Sequence, residues 1–164
     1  MRGCGWRRRM PEAAIALGSN LGERENNLQT AIDLVGALGT VRAVSRFYDT
    51  APVGFLEQPR FLNAALKLDT EVGPVDLLRG LLGVEEKMGR RRTGVPPKGP
   101  RVIDLDLILY GDMVLETAEL TLPHPEFAGR EFVLEPLAEI AGEMLHPVLG
   151  VTVGELLRRV RGAG

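Results

Sequence analysis

One short run, PRVIDLDLILYG at residues 100–111, constrains the fold of this chain more than any other. Its aliphatic residues, bounded by Pro100 and Gly111, favour a buried strand. Two aspartates nevertheless lie within it, at positions 104 and 106, although aspartate is depleted in strands. Because successive strand side chains point to opposite faces, both carboxylates share one face and lie about 7 Å apart. The run therefore predicts a strand with an acid pair on one side.

Strict alternation also predicts which residues of this strand share a face. The aliphatic face, expected to pack on helices, holds Ile103, Leu105, Leu107 and Leu109. The opposite face holds Asp104, Asp106, Ile108 and Tyr110. A solvated outer face would also explain the acids. The alternative is a divalent-cation site, because magnesium binds carboxylate oxygens and completes its shell with waters and substrate phosphates.

The remaining pattern predicts the order β-α-β-β-α-β. The predicted strands are residues 13–18, 41–48, 61–68 and the acid-bearing run, and the predicted helices are residues 24–38 and 74–88. A hairpin is expected at 111–112, and two short helices at about 131–141 and 152–161. This order is typical of a ferredoxin-like α+β fold, with two helices on one face of an antiparallel sheet. The C-terminal helices form an extension, and the other face is left for loops, extensions or a ligand.

Composition limits the class of protein. A chain of 164 residues with 45% hydrophobic and 26% charged residues fits one globular domain, expected at 11–164. Residues 1–10 are expected to be disordered or a mis-assigned start. A net charge of −2 argues against a surface devoted to nucleic acid or membrane. With one cysteine and no apolar run of about 20 residues, we expect a cytoplasmic protein that does not span a membrane; a monomer is favoured, but the oligomeric state is left open.

Several further polar residues stand out. Glu85 falls on the apolar stripe predicted for the second helix, formed by Leu78, Leu81, Leu82 and Met88. Charged residues are seldom buried unpaired, so Glu85 either reaches water at the edge of the stripe or has a specific partner. The loop before the acid pair is basic and contains Arg90, Arg91, Arg92, Lys98 and Arg101. It is either a solvated loop or a site for a polyphosphate.

Two further positions suggest recognition of a planar ring. Asn63 and Phe61 are in phase on the third strand, on the face opposite its leucines. An asparagine amide can pair with the edge of a heterocycle and a phenylalanine can stack on it, although an asparagine held by backbone is the simpler explanation. His124 lies between two prolines, with Arg130 downstream, where a structural turn residue is equally possible. The glycine-rich phosphate-binding motifs of P-loop and Rossmann proteins are absent from the sequence.

Six segments together resemble the 6-hydroxymethyl-7,8-dihydropterin pyrophosphokinase family of folate biosynthesis. They are AIALGSNLG (14–22), SRFYDTAPVG (45–54), QPRFLNAAL (58–66), EEKMGR (85–90), GPRVIDLDLILYG (99–111) and LTLPHPEFAGREFVLEPLAEIA (120–141). They occur in the order and spacing of the family and cover nearly all of residues 14–150.

The resemblance implies transfer of pyrophosphate from ATP, the co-substrate, to the hydroxymethyl oxygen of the pterin, with release of AMP. It implies two magnesium ions held by Asp104 and Asp106. The pterin pocket would comprise Thr50, Val53, Phe61, Asn63 and Phe132. The ATP side would comprise Glu85, Arg90, Arg92, Arg101, His124 and Arg130. Of these, Arg90, Arg92 and Arg101, with the aspartates, would be catalytic.

Two other functions use a similar fold. A palm-type nucleotidyl transferase or cyclase also places paired acids on such a sheet, but it releases pyrophosphate and not AMP. An RNA-binding module would carry aromatic and cationic residues on its open sheet face. The predicted open face of this chain carries two acids instead, and no run such as KGFGFV is present.

Overall fold

The computed structural model describes residues 11–52, 57–89 and 101–163, which form an α+β structure. Its strands are β1 (Glu12–Ser19), β2 (Thr40–Val44), β3 (Tyr48–Thr50), β4 (Phe61–Asp69), β5 (Asp104–Tyr110), β6 (Leu115–Glu116) and β7 (Thr121–Leu122). Its helices are α1 (Arg24–Val35), α2 (Pro74–Lys87), α3 (Glu131–Ala141) and α4 (Val153–Ala163), and a 3-10 turn spans Phe127–Gly129. The described residues include no helix long and apolar enough to cross a membrane.

The main sheet is antiparallel, with the strand order β2-β4-β1-β5. The central strands β1 and β4 pair along their whole length, from Glu12 opposite Asp69 to Ser19 opposite Leu62. β3 pairs with the first residues of β4, and β2 pairs with its last. β6 and β7 form a separate two-stranded sheet. A turn follows β5 as expected, but the strand after it pairs with β7 and not with β5.

The first face of the sheet, here called the helix face, packs against α1 and α2. Leu28, Ala31, Ile32 and Val35 are the buried residues of α1. Its predicted extension to residue 38 is wrong, because the chain turns at Gly36 and Ala37. Leu77, Leu81, Val84 and Glu85 are the buried residues of α2. The predicted stripe is therefore corrected: Leu78 and Leu82 are only half-buried, and their neighbours face the core.

The opposite face, here called the cleft face, is covered in part by the C-terminal extension. α3 packs across β4, β1 and β3, and α4 packs on α3. The second apolar core between these layers includes Ala16, Ala65, Phe127, Leu134 and Leu137. Both C-terminal helices were predicted close to their observed bounds. Within the described residues, the end of the cleft face near the start of β5 borders an open cleft.

A bulge in β5 corrects the predicted faces of that strand. Ala14 pairs with Leu109 and Ile15 pairs with Leu107, so Ile108 is an extra residue. A bulge places two residues of one strand opposite one residue of its partner, so the residues beyond it change faces. Leu109 therefore faces the C-terminal helices, and Tyr110 lies in the core of the helix face, where its hydroxyl donates to the Val72 carbonyl at 2.6 Å. The predicted alternation holds from Ile103 to Ile108 and fails at Leu109 and Tyr110.

The predicted single strand at 41–48 is two strands separated by a bend. At Ser45 the side chain takes part in the ladder: the Ala65 N–H donates to its Oγ at 2.9 Å. The Ser45 N–H donates in turn to the Ala65 carbonyl at 2.9 Å. The chain can then change direction between β2 and β3 while both strands stay paired with β4.

Candidate active site

The two aspartates lie at the open end of the cleft face. Asp104 is paired with Gly18 and Asp106 with Ala16 of β1, and both side chains are half-buried. They border a cleft that is open to solvent and encloses about 110 Å³. Its walls are Ala16, Leu17, Gly18, Thr50, Ala51, Phe61, Asn63, Arg101, Asp104, Asp106, Arg130, Phe132 and Val133. The predicted shared face of the acid pair is confirmed.

Glu85 supports the acid pair from behind the sheet. Only 2% of this residue is exposed, and its carboxylate Oε2 accepts a hydrogen bond from the Leu105 N–H at 2.7 Å. Leu105 is the residue between the two aspartates, so the bond fixes the backbone from which both side chains project. A charge-assisted bond of this kind is stronger than one between neutral groups.

Arg101 lies at the mouth of the cleft and contacts one of the acids. Its Nη1 is 3.0 Å from Asp104 Oδ2, and its guanidinium lies 5.3 Å from the centre of the Phe61 ring. Asn20 fixes its backbone, because Asn20 Oδ1 accepts from the Arg101 N–H at 2.8 Å and the Asn20 N–H donates to the Arg101 carbonyl at 3.2 Å. These two hydrogen bonds with Asn20 hold the backbone of Arg101 beside the acid pair.

The inner part of the cleft has the shape and polarity of a site for a flat ring. Asn63 is buried, and its Oδ1 accepts a hydrogen bond from the Thr50 hydroxyl. This bond directs the amide nitrogen of Asn63 away from Thr50. A Cβ on Gly18 would lie 3.1 Å from that nitrogen and 3.5 Å from Phe61 Cδ1. Glycine is therefore needed at position 18 to leave space beside the amide and the ring.

A second aromatic residue borders the cleft from the start of α3. Phe132 is half-buried, and the Arg130 guanidinium lies 5.8 Å from the centre of its ring. Arg130 also pairs with Glu126. Phe61 and Phe132 thus contribute two aromatic surfaces from different elements, each with an arginine beside it. Aromatic faces and guanidinium groups both stack on flat conjugated rings.

His124 faces a second, shallower depression, which meets the cleft at Asp106. Its other walls include Leu78, Leu107, Leu120 and Thr121. The His124 Nδ1 accepts a hydrogen bond from the Glu126 N–H at 3.1 Å. Burial, followed by repulsion from Arg130, lowers the pKa of His124, although Asp104 opposes the shift. At neutral pH the imidazole is therefore uncharged, with its Nε2–H available as a donor.

The predicted site residues separate into three groups. Eight of them line the cleft: Thr50, Phe61, Asn63, Arg101, Asp104, Asp106, Arg130 and Phe132. Glu85 lies behind the sheet, and His124 lies in the adjoining depression. Val53, Arg90 and Arg92 lie outside the described residues, so their roles stay predictions.

Sequence reasoning missed Gly18, Ala51 and Asn20. A glycine inside a strand often marks close approach of another group, so the signal for Gly18 was present. Asn20 lies directly after β1. Its contacts to Arg101 and to Gln58, whose Oε1 accepts from Asn20 Nδ2 at 2.6 Å, join segments far apart in sequence. No local pattern marks such a residue.

The donor set of the acid pair fits magnesium. Its two carboxylates offer hard oxygen ligands on one face of one strand. Within the described ranges, no cluster of three or more His, Cys, Asp or Glu side chains forms a cage by itself. Magnesium commonly takes one or two carboxylates and completes its octahedral shell with waters and substrate phosphates. Asp104 and Asp106 are the residues that would hold it.

Comparison with known sequences decides the family. Residues 14–142 match the sequence profile of the 7,8-dihydro-6-hydroxymethylpterin-pyrophosphokinase (HPPK) family. The chain belongs to this family. HPPK relatives include the 2-amino-4-hydroxy-6-hydroxymethyldihydropteridine pyrophosphokinase of Synechocystis sp., 43% identical over 90% of this chain and 75% of the relative. The enzyme of the same name from Bacillus subtilis is 43% identical over 80% of this chain and 79% of its own length.

Other HPPK relatives are much longer proteins. The folic acid synthesis protein fol1 of Schizosaccharomyces pombe is 38% identical over 93% of this chain, which spans only 21% of it. Among solved structures, an HPPK-DHPS crystallised with substrates is similar in fold, with a TM-score of 0.75 and 14% identity over 94% of this chain and 44% of that one. The wild-type Plasmodium falciparum HPPK-DHPS has a TM-score of 0.73 and 19% identity, over 96% of this chain and 44% of its own.

Proposed function

We propose that this chain transfers pyrophosphate from ATP to the hydroxymethyl group of 6-hydroxymethyl-7,8-dihydropterin and releases AMP, as a step of folate biosynthesis. Two Mg²⁺ ions, held by Asp104 and Asp106, would accompany the ATP. Family membership and the 43% identity to named pyrophosphokinases support the reaction class. The observation that carries the proposal is one cleft that joins an acid pair, an arginine and a slot for a flat ring.

The inner slot fits the pterin. Its polar contact is the amide of Asn63, whose oxygen is engaged by Thr50 and whose nitrogen is directed elsewhere as a donor. The rings of Phe61 and Phe132 are placed to contact the faces of a bicyclic heterocycle. A ring held there would direct its 6-hydroxymethyl substituent toward the acid pair. Asn63, Phe61 and Phe132 would thus position the attacking hydroxymethyl oxygen. Positioning is the main task in the transfer of a phosphoryl-type group.

The charged end of the cleft fits the polyphosphate. Bound magnesium neutralises phosphate charge and lowers the pKa of a coordinated hydroxyl. Arg101 supplies a guanidinium at the same place, and its 3.0 Å contact with Asp104 keeps it beside the group to be transferred. Arg130, at the other wall, adds a second cation. Both guanidinium groups suit bidentate contacts to phosphate oxygens.

The depression on the other side of Asp106 fits the nucleoside of ATP. Its walls are largely aliphatic, and Asp106 borders both this depression and the cleft. The neutral imidazole of His124 offers an N–H donor to this space. An ATP molecule with its base in the depression would have its phosphates at the acid pair. This arrangement agrees with the predicted ATP side of the site.

We also propose the fold type, the partners and the form of the protein. We class the fold as ferredoxin-like, because the order β5-β1-β4-β2 and the two helices on one face match the βαββαβ pattern. The partners are two small molecules, the pterin and ATP. A cytoplasmic monomer stays the expected form.

The identity of the products tests the proposed reaction. The purified full chain is incubated with ATP, Mg²⁺ and 6-hydroxymethyl-7,8-dihydropterin, and the products are separated by anion-exchange chromatography. We expect AMP and the pterin pyrophosphate in equal amounts. Release of pyrophosphate or ADP, or AMP formation that does not depend on the pterin, would contradict the proposal. A nucleotidyl transferase would give the first of these results.

A further inference from the structure

The bend between β2 and β3 directs one backbone group toward α3. Ser45 pairs with Ala65, and the chain then leaves the ladder before β3 begins at Tyr48. The Arg46 N–H donates to both carboxylate oxygens of Glu139, at 3.3 and 3.2 Å. Glu139 belongs to α3, so a carboxylate of the C-terminal extension caps an interruption in the sheet. A backbone donor near the protein surface thereby has a charged acceptor.

Tyr48 makes a second bond to the same carboxylate. Its hydroxyl donates to Glu139 Oε1 at 2.5 Å. The Arg46 side chain also reaches Glu139, but it is 80% exposed, and such exposed ion pairs contribute little. The hydrogen bond from Tyr48 lowers the pKa of Glu139, so the carboxylate is ionised at neutral pH. Tyr48 and the Arg46 N–H are therefore the main links between β3 and α3.

These links join the two walls of the cleft. Tyr48 is directly opposite Asn63 in the pairing of β3 with β4, and Thr50 follows two residues later. Glu139 lies seven residues after Phe132, which is close to two helical turns, so the two side chains share one side of α3. The link therefore tethers the side of α3 that carries Phe132 to the strand that carries Thr50, in addition to the packing of α3 on the sheet.

We infer that Tyr48 and Glu139 are positioning residues that adjust the separation between the Phe132 wall and the Thr50–Asn63 wall of the cleft, and so affect affinity for the pterin more than affinity for ATP. The inference rests on the proposed function for the identity of the ring. The linked elements, β3 and the second half of α3, lie away from the His124 depression. Loss of the link therefore changes the pterin slot more than the His124 depression.

The test compares Tyr48→Phe and Glu139→Ala with the unaltered chain. Steady-state KM values for the pterin and for ATP are measured, with calorimetric binding of the pterin in the presence of a non-hydrolysable ATP analogue. Because a bond to a charged acceptor is lost, we expect the pterin KM and Kd to rise about fivefold or more in each variant. We expect the ATP KM to rise less than the pterin KM. The double variant should bind pterin no more weakly than Glu139→Ala alone, because both changes remove one interaction.

Glu135→Gln is the matched control. Glu135 is also on α3, but it pairs with Arg161 of α4 at 2.7 Å. The pterin KM of Glu135→Gln should therefore not change. Normal pterin affinity in Tyr48→Phe overturns the inference, and so does an equal rise in both KM values. Failure of the unaltered chain to bind the pterin contradicts the proposed function instead.

Discussion

The carboxylate of Glu85 accepts a hydrogen bond from the N–H of Leu105 at 2.7 Å, inside the core of the protein. A glutamate of α2 is thus hydrogen-bonded to the residue of β5 that lies between Asp104 and Asp106. Buried charged groups are costly unless hydrogen-bonded. We interpret this contact as the support that holds the acid pair, and it explains why a charge occurs on an apolar helix stripe.

Replacement of Glu85 by alanine is expected to lower both stability and turnover. The buried Leu105 N–H would lose its acceptor, which costs about 1–3 kcal/mol of the free energy of unfolding. Urea unfolding and turnover at saturating substrates measure the two effects. Glu86→Ala, at the exposed neighbouring position, should leave both unchanged. A raised ATP KM with unchanged stability would instead favour the direct ATP contact predicted from the sequence.

Replacement of Gly18 by alanine is expected to impair pterin binding without unfolding the protein. The added Cβ would lie 3.1 Å from Asn63 Nδ2, close enough to displace the amide. We expect the pterin KM to rise about tenfold, since small displacements of positioning groups are costly. Kinetics with each substrate varied in turn measure the effect. The control is Gly83→Ala on α2, where nothing lies within 4 Å of the new Cβ; an unchanged pterin KM in Gly18→Ala would show that the slot is elsewhere.

Stability is expected to fall as the pH decreases from about 7 to 5. His146 is buried, and its Nδ1 accepts the N–H groups of Val148 and Leu149 at 3.2 and 3.0 Å. Burial lowers the pKa of His146 below the ordinary value of 6.5. The unfolded chain therefore binds a proton in this range that the folded chain does not. By linkage, the contribution of His146 to the free energy of unfolding is complete above pH 6.5 and is lost as the pH falls.

Thermal or urea unfolding at several pH values measures this dependence. His146→Asn retains an acceptor without a titrating ring, so its stability should depend less steeply on pH than that of the unaltered chain. The pKa of His124 is lowered too, so His124→Asn should remove a further part of the slope. An unchanged slope in both variants would show that other groups determine the acid sensitivity.

The strand and helix order could be predicted from the sequence because it depends on local periodicity. The alternation through Leu62, Ala64, Leu66 and Leu68 places these residues in the core of the helix face as expected. The same rule failed at Leu109 and Tyr110, because a bulge inserts Ile108 into β5. A bulge depends on the pairing of two strands, and the sequence of one strand does not specify it.

The site was predicted where its residues share a strand or a motif. Asp104 with Asp106, and Phe61 with Asn63, share faces that periodicity assigns. The separation of Glu85 from the cleft could not be predicted, because a carboxylate on a helix stripe is compatible with either a ligand contact or a backbone contact. An extension was among the elements expected on the cleft face, but the sequence did not specify that α3 covers it, since amphipathic helices do not specify which surface they bury against.

The central claim is that Asp104 and Asp106 together hold the metal ions that activate the polyphosphate. The most direct measurement is binding of Mn²⁺, as a paramagnetic substitute for Mg²⁺, in the presence of a non-hydrolysable ATP analogue, in Asp104→Asn and Asp106→Asn, with turnover measured in parallel. The matched control is Asp112→Asn, in the turn after β5. We predict that each cleft variant keeps its fold but binds fewer Mn²⁺ ions per chain, and that its turnover falls by at least about a hundredfold. The control variant should bind Mn²⁺ and turn over like the unaltered chain. Full metal binding and near-normal AMP release in both cleft variants would contradict the account.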